Sequence, residues 1–375
     1  MAHHSQFLAW EQDQICRDKK RQHYDMMFRM IRKNRNSVPF GIVVFFSIIF
    51  LLSLKSRILP FAPQIVFQNG HSPSASLAAA GTGSSSAIMA TTDTLPFTFS
   101  RGHHIPPKIW QVMLPRPGSP AHTPLDPQSL VDTTSWLAQN PGYSYILVAQ
   151  KEADYFINTH FSGDAKILRT WHALKNPGVK SDLLRYLTLF IEGGVYTDID
   201  TEALKPIDIW VPEEYRNQAK VVIGIEWDQL DGGPWAEIPH RLQFCQWAIA
   251  AAPGHPIFMK MAYHAIHTLE SLATEHNTTL DQLDLSSVEV MTSTGPASWT
   301  DVVLEQLKEM DQNVTDVTDF SGMKPTGPRL CGDILILAID GFGMGQPHSN
   351  STNDGTIPET AFLKHKFRGS WRSGG

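Results

Sequence analysis

The chain has 375 residues, 42% of them hydrophobic and 18% charged, with 31 Lys and Arg against 37 Asp and Glu and a net charge of -6. That composition excludes wholesale disorder. The lack of an overall basic field argues against nucleic acid as a partner, and three cysteines are too few for a disulfide-stapled mini-domain or a Cys-rich zinc site.

The N-terminal part is strongly segregated. Arg17, Lys19, Lys20, Arg21, Arg29, Arg32, Lys33 and Arg35 precede an uncharged apolar stretch, Val38 to Leu54, and only Lys55 and Arg57 follow before Arg101. A stretch of 17 residues meets the lower limit for a spanning helix. The excess of cations before it predicts a cytosolic tail at 1–37, a signal anchor at 38–54 and the rest of the chain across the membrane. A cleaved signal peptide fits less well, because polar residues come first and Ser-Leu-Lys-Ser is a poor cleavage site. A buried core helix would need polar punctuation on one face. Residues 55–104 include HSPSASLAAAGTGSSSAIMATTDT, rich in Ser, Ala, Gly and Thr, which predicts a flexible stem.

From 105 to 375 the pattern is that of one α/β domain. Strand-like runs at 108–113, 144–149, 221–226 and 334–339 alternate with helical patterns at Gln128–Gln139, Ser181–Glu192, Arg241–Ala251, Ile257–Leu272 and Trp299–Lys308. Alternation of this kind predicts a largely parallel sheet with helices on both faces, and ligands at the C-terminal ends of its strands. Cys245 and Cys331 fall in this domain, either as a disulfide or as two buried thiols. Sequons stand at Asn277, Asn313 and Asn350.

The richest segment is SDLLRYLTLFIEGGVYTDIDTEALKPID, residues 181–208. Leu183, Leu184, Leu187, Phe190 and Ile191 give an apolar helix face, Ser181 is a candidate cap, and Gly193-Gly194 a candidate helix end. Asp182 and Arg185 are three apart and share a side of that helix. Val195, Thr197 and Ile199 then alternate with Tyr196, Asp198 and Asp200 as in a strand, which puts Asp198 and Asp200 on one face. Two adjacent carboxylates repel unless something positive lies beside them, and a hard divalent cation meets that need. Arg185 adds a forked donor for an anion or sugar hydroxyls. Two turn or strand-end carboxylates with no ligand are the plain alternative.

Asp-x-x-Arg, Gly-Gly-Val-Tyr and Asp-x-Asp in this order resemble glycosyltransferases with a DXD motif. The wording is most similar to the fungal initiation-specific α-1,6-mannosyltransferase family. Further resemblance lies in IPPKIWQV (105–112), RLQFCQWAIAAAPGHPI (241–257), STGPASWT (293–300) and AFLKHKFRGSW (361–371). The resemblance implies a GT-A type, Rossmann-like nucleotide-sugar fold in a single lumenal domain and a retaining transfer of mannose from GDP-mannose to N-linked glycan. It also implies Mn²⁺ as cofactor and a type II Golgi membrane protein, with a mannosyltransferase complex as a potential partner. It casts Asp200 and Asp198 as metal ligands, with Asp198 also near the ribose, and His365 as the third ligand, with His348 as competitor. Asp182 and Arg185 then hold the donor sugar, and Arg368, Ser370 and Trp371 cover the leaving group. Trp110 is a candidate stack for guanine, its alternative being a core tryptophan. Glu226 and Asp228, after the third strand-like run, are candidates to orient the acceptor, and the Thr294-Gly295-Pro296 turn to line its cleft. Competing readings are an inositol phosphorylceramide mannosyltransferase, a glycoside hydrolase using Asp198 and Asp200, and a non-catalytic subunit of a mannan-building complex.

Overall fold

The computed structural model describes residues 104–115, 127–235 and 238–368. The predicted tail and anchor, all of the stem but His104, and Ser370 and Trp371 lie outside them. Among the described residues no helix is long and apolar enough to cross a membrane.

The chain runs β1 (Lys108–Val112), α1 (Pro127–Gln139), β2 (Ser144–Val148), α2 (Gln150–His160), α3 (Ala165–Ala173), α4 (Pro177–Glu192), β3 (Gly194–Thr197) and β4 (Thr201–Ala203). It continues through β5 (Val221–Asp228), β6 (Leu242–Phe244), β7 (Ala248–Ala251), α5 (Pro256–Glu275), α6 (Ser287–Ser293) and α7 (Pro296–Met310). It closes with β8 (Arg329–Cys331), β9 (Ile334–Leu337), α8 (Ile339–Gly343) and β10 (Leu363–His365).

An eight-stranded sheet has the order β2-β1-β3-β7-β5-β9-β8, with β6 also pairing β5. β2, β1, β3, β5 and β9 point one way; β7 runs antiparallel between β3 and β5, and β6 and β8 are antiparallel too. The sheet is therefore mostly parallel, as expected, but mixed, with three strands running against the other five. The difference comes from 241–251, read from sequence as a helix and folded here as β6 and β7. Every residue from Leu242 to Ala252 is buried, so no polar face marks a period and an apolar run of this kind cannot separate helix from strand.

Side-chain alternation along the strands divides the core into two layers. Trp110, Tyr196, Ile223, Ile249 and Ile336 enter the layer beneath α2 to α5 and α7. Ile109, Val195, Val222, Ala250 and Leu335 enter the opposite layer with Trp136, Trp210 and Phe342. Cys331 belongs to the first layer and Cys245 to the second, and both are free thiols. The two do not form the disulfide.

The helix α4 sits between sheet and outer helices, so its burial wraps around it, from Val179 and Asp182 through Leu189. Each fully buried Leu or Val contributes about 1.5–3 kcal/mol against the entropy of ordering. The N-cap is Asn176, whose side chain accepts from the amides of Gly178 and Val179 ahead of Pro177, so the helix starts earlier than a Ser181 cap implies. Gly193 ends it with φ 61°, and Gly194 follows with φ 97°. A Cβ on Gly193 would lie 2.7 Å from the Ala251 carbonyl oxygen, and one on Gly194 2.8 Å from that of Lys108. Both glycines are required for the helix to turn straight into the middle of the sheet.

A second, two-stranded sheet pairs β10 with β4, Leu363 opposite Ala203 and His365 opposite Thr201. This pairing carries the C-terminal segment back to the end of β3.

Candidate active site

Strand β3 stops at Thr197, and Asp198 to Asp200 form the turn into β4. The two carboxylates are thus brought to one side by a turn, not by strand alternation. The amide of Asp198 donates to the Trp247 carbonyl at 2.8 Å, and its own carbonyl accepts from Thr201 and from the Gln111 side chain. These bonds fix the turn at the C-terminal end of a central strand, where α/β sheets place their ligands.

His365 enters from β10. Its Nε2 lies 3.1 Å from Asp200 Oδ1 and 3.8 Å from Asp198 Oδ2. One ligand atom from each of Asp198, Asp200 and His365 falls within 4.8 Å of the others. Asp200 also accepts the Arg368 amide on Oδ2 at 2.9 Å, and its carbonyl accepts the Lys366 amide. Burial opposes ionisation of Asp200, but the His365 bond and charge together with the Arg368 amide outweigh it and hold the carboxyl at about 2. It is an anion throughout the physiological range.

Arg185 lies behind the turn and is buried. Its Nη1 donates to the Gln246 carbonyl at 2.9 Å, and Nη2 meets Asp182 Oδ1 at 3.1 Å, Asp198 Oδ1 at 3.0 Å and the Tyr196 hydroxyl at 3.1 Å. Tyr196 itself donates to Asp198 Oδ1 at 2.8 Å. The positive charge that two close acids require is therefore partly built in. Arg185 is a strut that aims Asp198, its fork already engaged by the protein, rather than a free fork held out to a ligand.

Asp182 is buried beside it and accepts the Thr294 hydroxyl at 2.8 Å. Desolvation raises its carboxyl to about 7, with Arg185 and Thr294 offsetting part of the rise. The Thr294 carbonyl accepts Tyr186 at 2.9 Å and the Gln246 side chain at 2.8 Å. The Thr-Gly-Pro turn thus braces Asp182 from behind.

Other expected residues lie apart from this group. Trp110 is buried in the first core layer, and its indole N–H donates to the Gly193 carbonyl at 2.9 Å. That is the core alternative, since a base stack needs an open ring face. Glu226 is the extra residue at a bulge in the β5–β6 pairing and is buried against Gln243. The Asp228 carboxylate is taken up by the Ser321 hydroxyl at 2.5 Å and the Gly322 amide at 2.8 Å. Neither acid is open to an acceptor. His348 is stacked on Trp235 and is not among the residues clustered with the two carboxylates. No sequence pattern marks Trp247, which covers the His365 ring, or Gln246, since both sit in the stretch that reads as helix. Asp132, on α1, holds the Arg368 side chain.

Two carboxylates and one imidazole make a mixed oxygen and nitrogen donor set that suits a divalent cation. His365 Nε2 faces both acids, and its Nδ1 is buried without a hydrogen-bond partner among the described residues. The residues present fit a metal ion.

Residues 129–217 match the family described as glycosyltransferase sugar-binding region containing DXD motif. The initiation-specific α-1,6-mannosyltransferase of Schizosaccharomyces pombe is 33% identical over 75% of this chain and 67% of its own length. That of Candida albicans is 31% identical over 64% of this chain and 66% of its own. The chain thus spans about two thirds of the length of these relatives. Among solved structures, the PaToxG glycosyltransferase overlays with a TM-score of 0.38 at 16% identity, covering 56% of this chain and 73% of that one, a likeness too partial to add to the sequence matches. The chain, 33% identical to the fission-yeast enzyme over three quarters of its length, belongs to the initiation-specific α-1,6-mannosyltransferase family.

Proposed function

We propose that this protein is a retaining α-1,6-mannosyltransferase of GT-A type that moves mannose from GDP-mannose to an N-linked glycan. It works as a type II protein of the Golgi membrane, with residues 1–37 cytosolic, 38–54 spanning, 55–104 as stem and 105–375 lumenal. The observation that carries the reading is the convergence of Asp198, Asp200 and His365 at the end of β3. Those three residues would hold Mn²⁺, which when bound supplies positive charge against the diphosphate leaving group.

The protein's own groups do the rest. Arg185 and Tyr196 aim Asp198, and the Arg368 amide and His365 keep Asp200 ionised and aimed. Asp182, braced by Thr294, stands beside Arg185 where it can accept a hydroxyl of the donor sugar. The site's carboxylates are all engaged: Asp182 and Asp198 by Arg185, and Asp200 by His365. That favours front-face attack by the acceptor hydroxyl, its proton passing to the departing phosphate, over a double displacement through a protein nucleophile. The ligand atoms of Asp198 and Asp200 also lie within 4.8 Å, less than the roughly 5–9.5 Å that flanking carboxylates of a glycoside hydrolase require.

The test is incubation of the full-length protein in detergent with GDP-mannose, Mn²⁺ and a high-mannose N-glycan, followed by mass and linkage analysis. A metal-dependent gain of one α-1,6-linked hexose is expected, abolished by EDTA and by Asp200→Ala. Transfer to inositol phosphorylceramide instead would move the protein to the lipid-acceptor reading. Full activity in folded Asp200→Ala would overturn the site.

A further inference from the structure

We infer that Trp235, backed by His348, is a stacking platform for a hexose of the acceptor glycan. The inference rests on the transferase reading above.

Trp235 is 47% exposed. It is also ordered by its neighbours. Its indole stacks on the His348 ring at 4.6 Å and 15°, and His348 in turn lies against the buried Trp227 at 6.1 Å. One face of the indole is thus backed, while much of the residue stays in water. Flat apolar surface of this kind matches the C–H face of a pyranose, whose hydroxyls remain free to bond elsewhere.

The two loops that present these rings are tied together. The Asn350 side-chain amide donates to the carbonyl of Asp228 at 2.6 Å and to that of Gln229 at 3.2 Å, and the Asp228 amide donates to the Ser349 carbonyl. Gln229 closes its own loop onto the Gly232 carbonyl at 2.8 Å. The platform is pre-organised, which lowers the entropy cost of ligand binding.

Topology selects the glycan over the nucleotide as occupant. Successive crossovers in the sheet change direction between β1, whose outer neighbour is β2, and β3. Nucleotides bind at such a switch point, beside the end of β3. Trp235 follows β5 and His348 follows α8 and β9, on the other half of the sheet. β5 and β9 run in the direction of β3, so all three strands end at the same edge as Asp198 and Asp200. Only β7 separates β3 from β5, so the two strands lie about 10 Å apart side by side, and β5 runs on to Asp228 past the level of Thr197, which the β7 register sets beside Gly224. That separation suits an extended oligosaccharide whose reacting residue is at the carboxylates and whose next residues reach the β5 side.

The experiment compares full-length wild type with Trp235→Ala and Trp235→Phe, varying high-mannose glycan and GDP-mannose separately. In Trp235→Ala the KM for glycan should rise about tenfold, the loss typical of a truncated aromatic anchor. The KM for GDP-mannose and the rate of GDP-mannose hydrolysis should stay within about twofold. Trp235→Phe should recover most of the loss. An unchanged glycan KM overturns the inference, as does a rise confined to the GDP-mannose KM, which would mark a base stack. If wild type transfers to no glycan, the transferase reading fails by itself; saturation-transfer NMR of the same glycan then decides the platform. Contact signals lost in Trp235→Ala support it, and contact signals equal in both proteins, or absent from wild type, overturn it.

Discussion

His365 lies flat on Trp247, with ring centroids 4.7 Å apart and planes 5° from parallel. Phe367 stands perpendicular to both rings at the edge of the stack, 4.0 Å from His365 and 5.4 Å from Trp247. The Trp247 indole is itself pinned to the Phe342 carbonyl at 3.1 Å, and the Trp247 carbonyl holds the Asp198 amide. One residue therefore sets both the imidazole plane and the turn that carries the acids. Loss of such a support around a metal ligand costs about 10–100-fold in affinity or activity. We expect that loss in Mn²⁺ affinity for Trp247→Ala, with Trp247→Phe in between, by calorimetric titration of the metal. Equal affinity in Trp247→Ala and wild type would show that the stack plays no part in holding His365.

Arg185 makes a different kind of prediction. It is buried between Asp182 and Asp198 and also serves Tyr196 and the Gln246 carbonyl. Removing one partner from a buried ionic network leaves uncompensated charge and costs about 3–5 kcal/mol. Arg185→Ala should lose that much stability in urea unfolding. Arg185→Lys should recover only part, because an ammonium cannot reproduce the planar fork. By contrast Asp200→Asn should cost less than Arg185→Ala, on the order of 2 kcal/mol at neutral pH for the lost His365 and Arg368 partners of the ionised carboxyl, while abolishing transfer. A fully stable Arg185→Ala would mean that the acids are held apart by something else.

How far the site could be read from sequence follows from where its parts lie in the chain. Asp182, Arg185, Asp198 and Asp200 fall within one helix and the strand and turn after it, so spacing alone places them together. Asn176 was missed as the cap because it stands outside the apolar pattern that begins at Leu183. The turn at Asp198 reads as strand because Val195 to Asp200 alternates regularly, and only the Trp247 and Thr201 bonds show that the ladder stops at Thr197. His365 is 165 residues from Asp200 and reaches it through β4–β10 pairing, which no local pattern records; family resemblance alone singled it out. Trp247 and Gln246 were hidden for the reason that hid β6 and β7, a stretch buried on every side. Glu226 and Asp228 drew attention as acids at a strand end, but a bulge and the turn at Ser321 turn both inward.

Glu226 gives a pH test. Burial raises its carboxyl to about 8 from an ordinary 4.5, and the Gln243 bond offsets only part. Its second oxygen is buried without a hydrogen-bond partner among the described residues, and the Cys245 thiol lies near enough to be raised by its charge. A raised folded-state value favours the protonated form. The folded protein therefore has its full stability from this group below about pH 4.5 and loses it as pH rises through about 8. Glu226→Gln removes the titration but keeps the shape. Relative to wild type it should gain on the order of a few kcal/mol at pH 8 and less than about 1 kcal/mol at pH 5. Urea midpoints at the two pH values measure this, and an equal difference at both would show that Glu226 does not titrate in that window.

The three sequons are not equivalent once the chain is folded, and this bears on the proposed lumenal placement. Asn350 uses its side-chain amide to hold the Asp228 and Gln229 carbonyls, and Thr352 of the same sequon is bound to Asp340. A glycan on that nitrogen would remove one N–H and force a sugar between the loops that carry Trp235 and His348. Asn277, by contrast, is exposed just beyond the end of α5, with φ 51° and no side-chain hydrogen bond among the described residues. A glycan there meets only solvent. For the full-length protein isolated from a eukaryotic secretory pathway, we expect a mass shift on peptide N-glycosidase treatment that Asn277→Gln diminishes and Asn350→Gln leaves unchanged. Complete absence of glycan, with the folded domain open to protease in sealed microsomes, would place that domain on the cytosolic side. A glycan at Asn350 in folded, active protein would mean that the Asn350 bonds do not hold the two loops together.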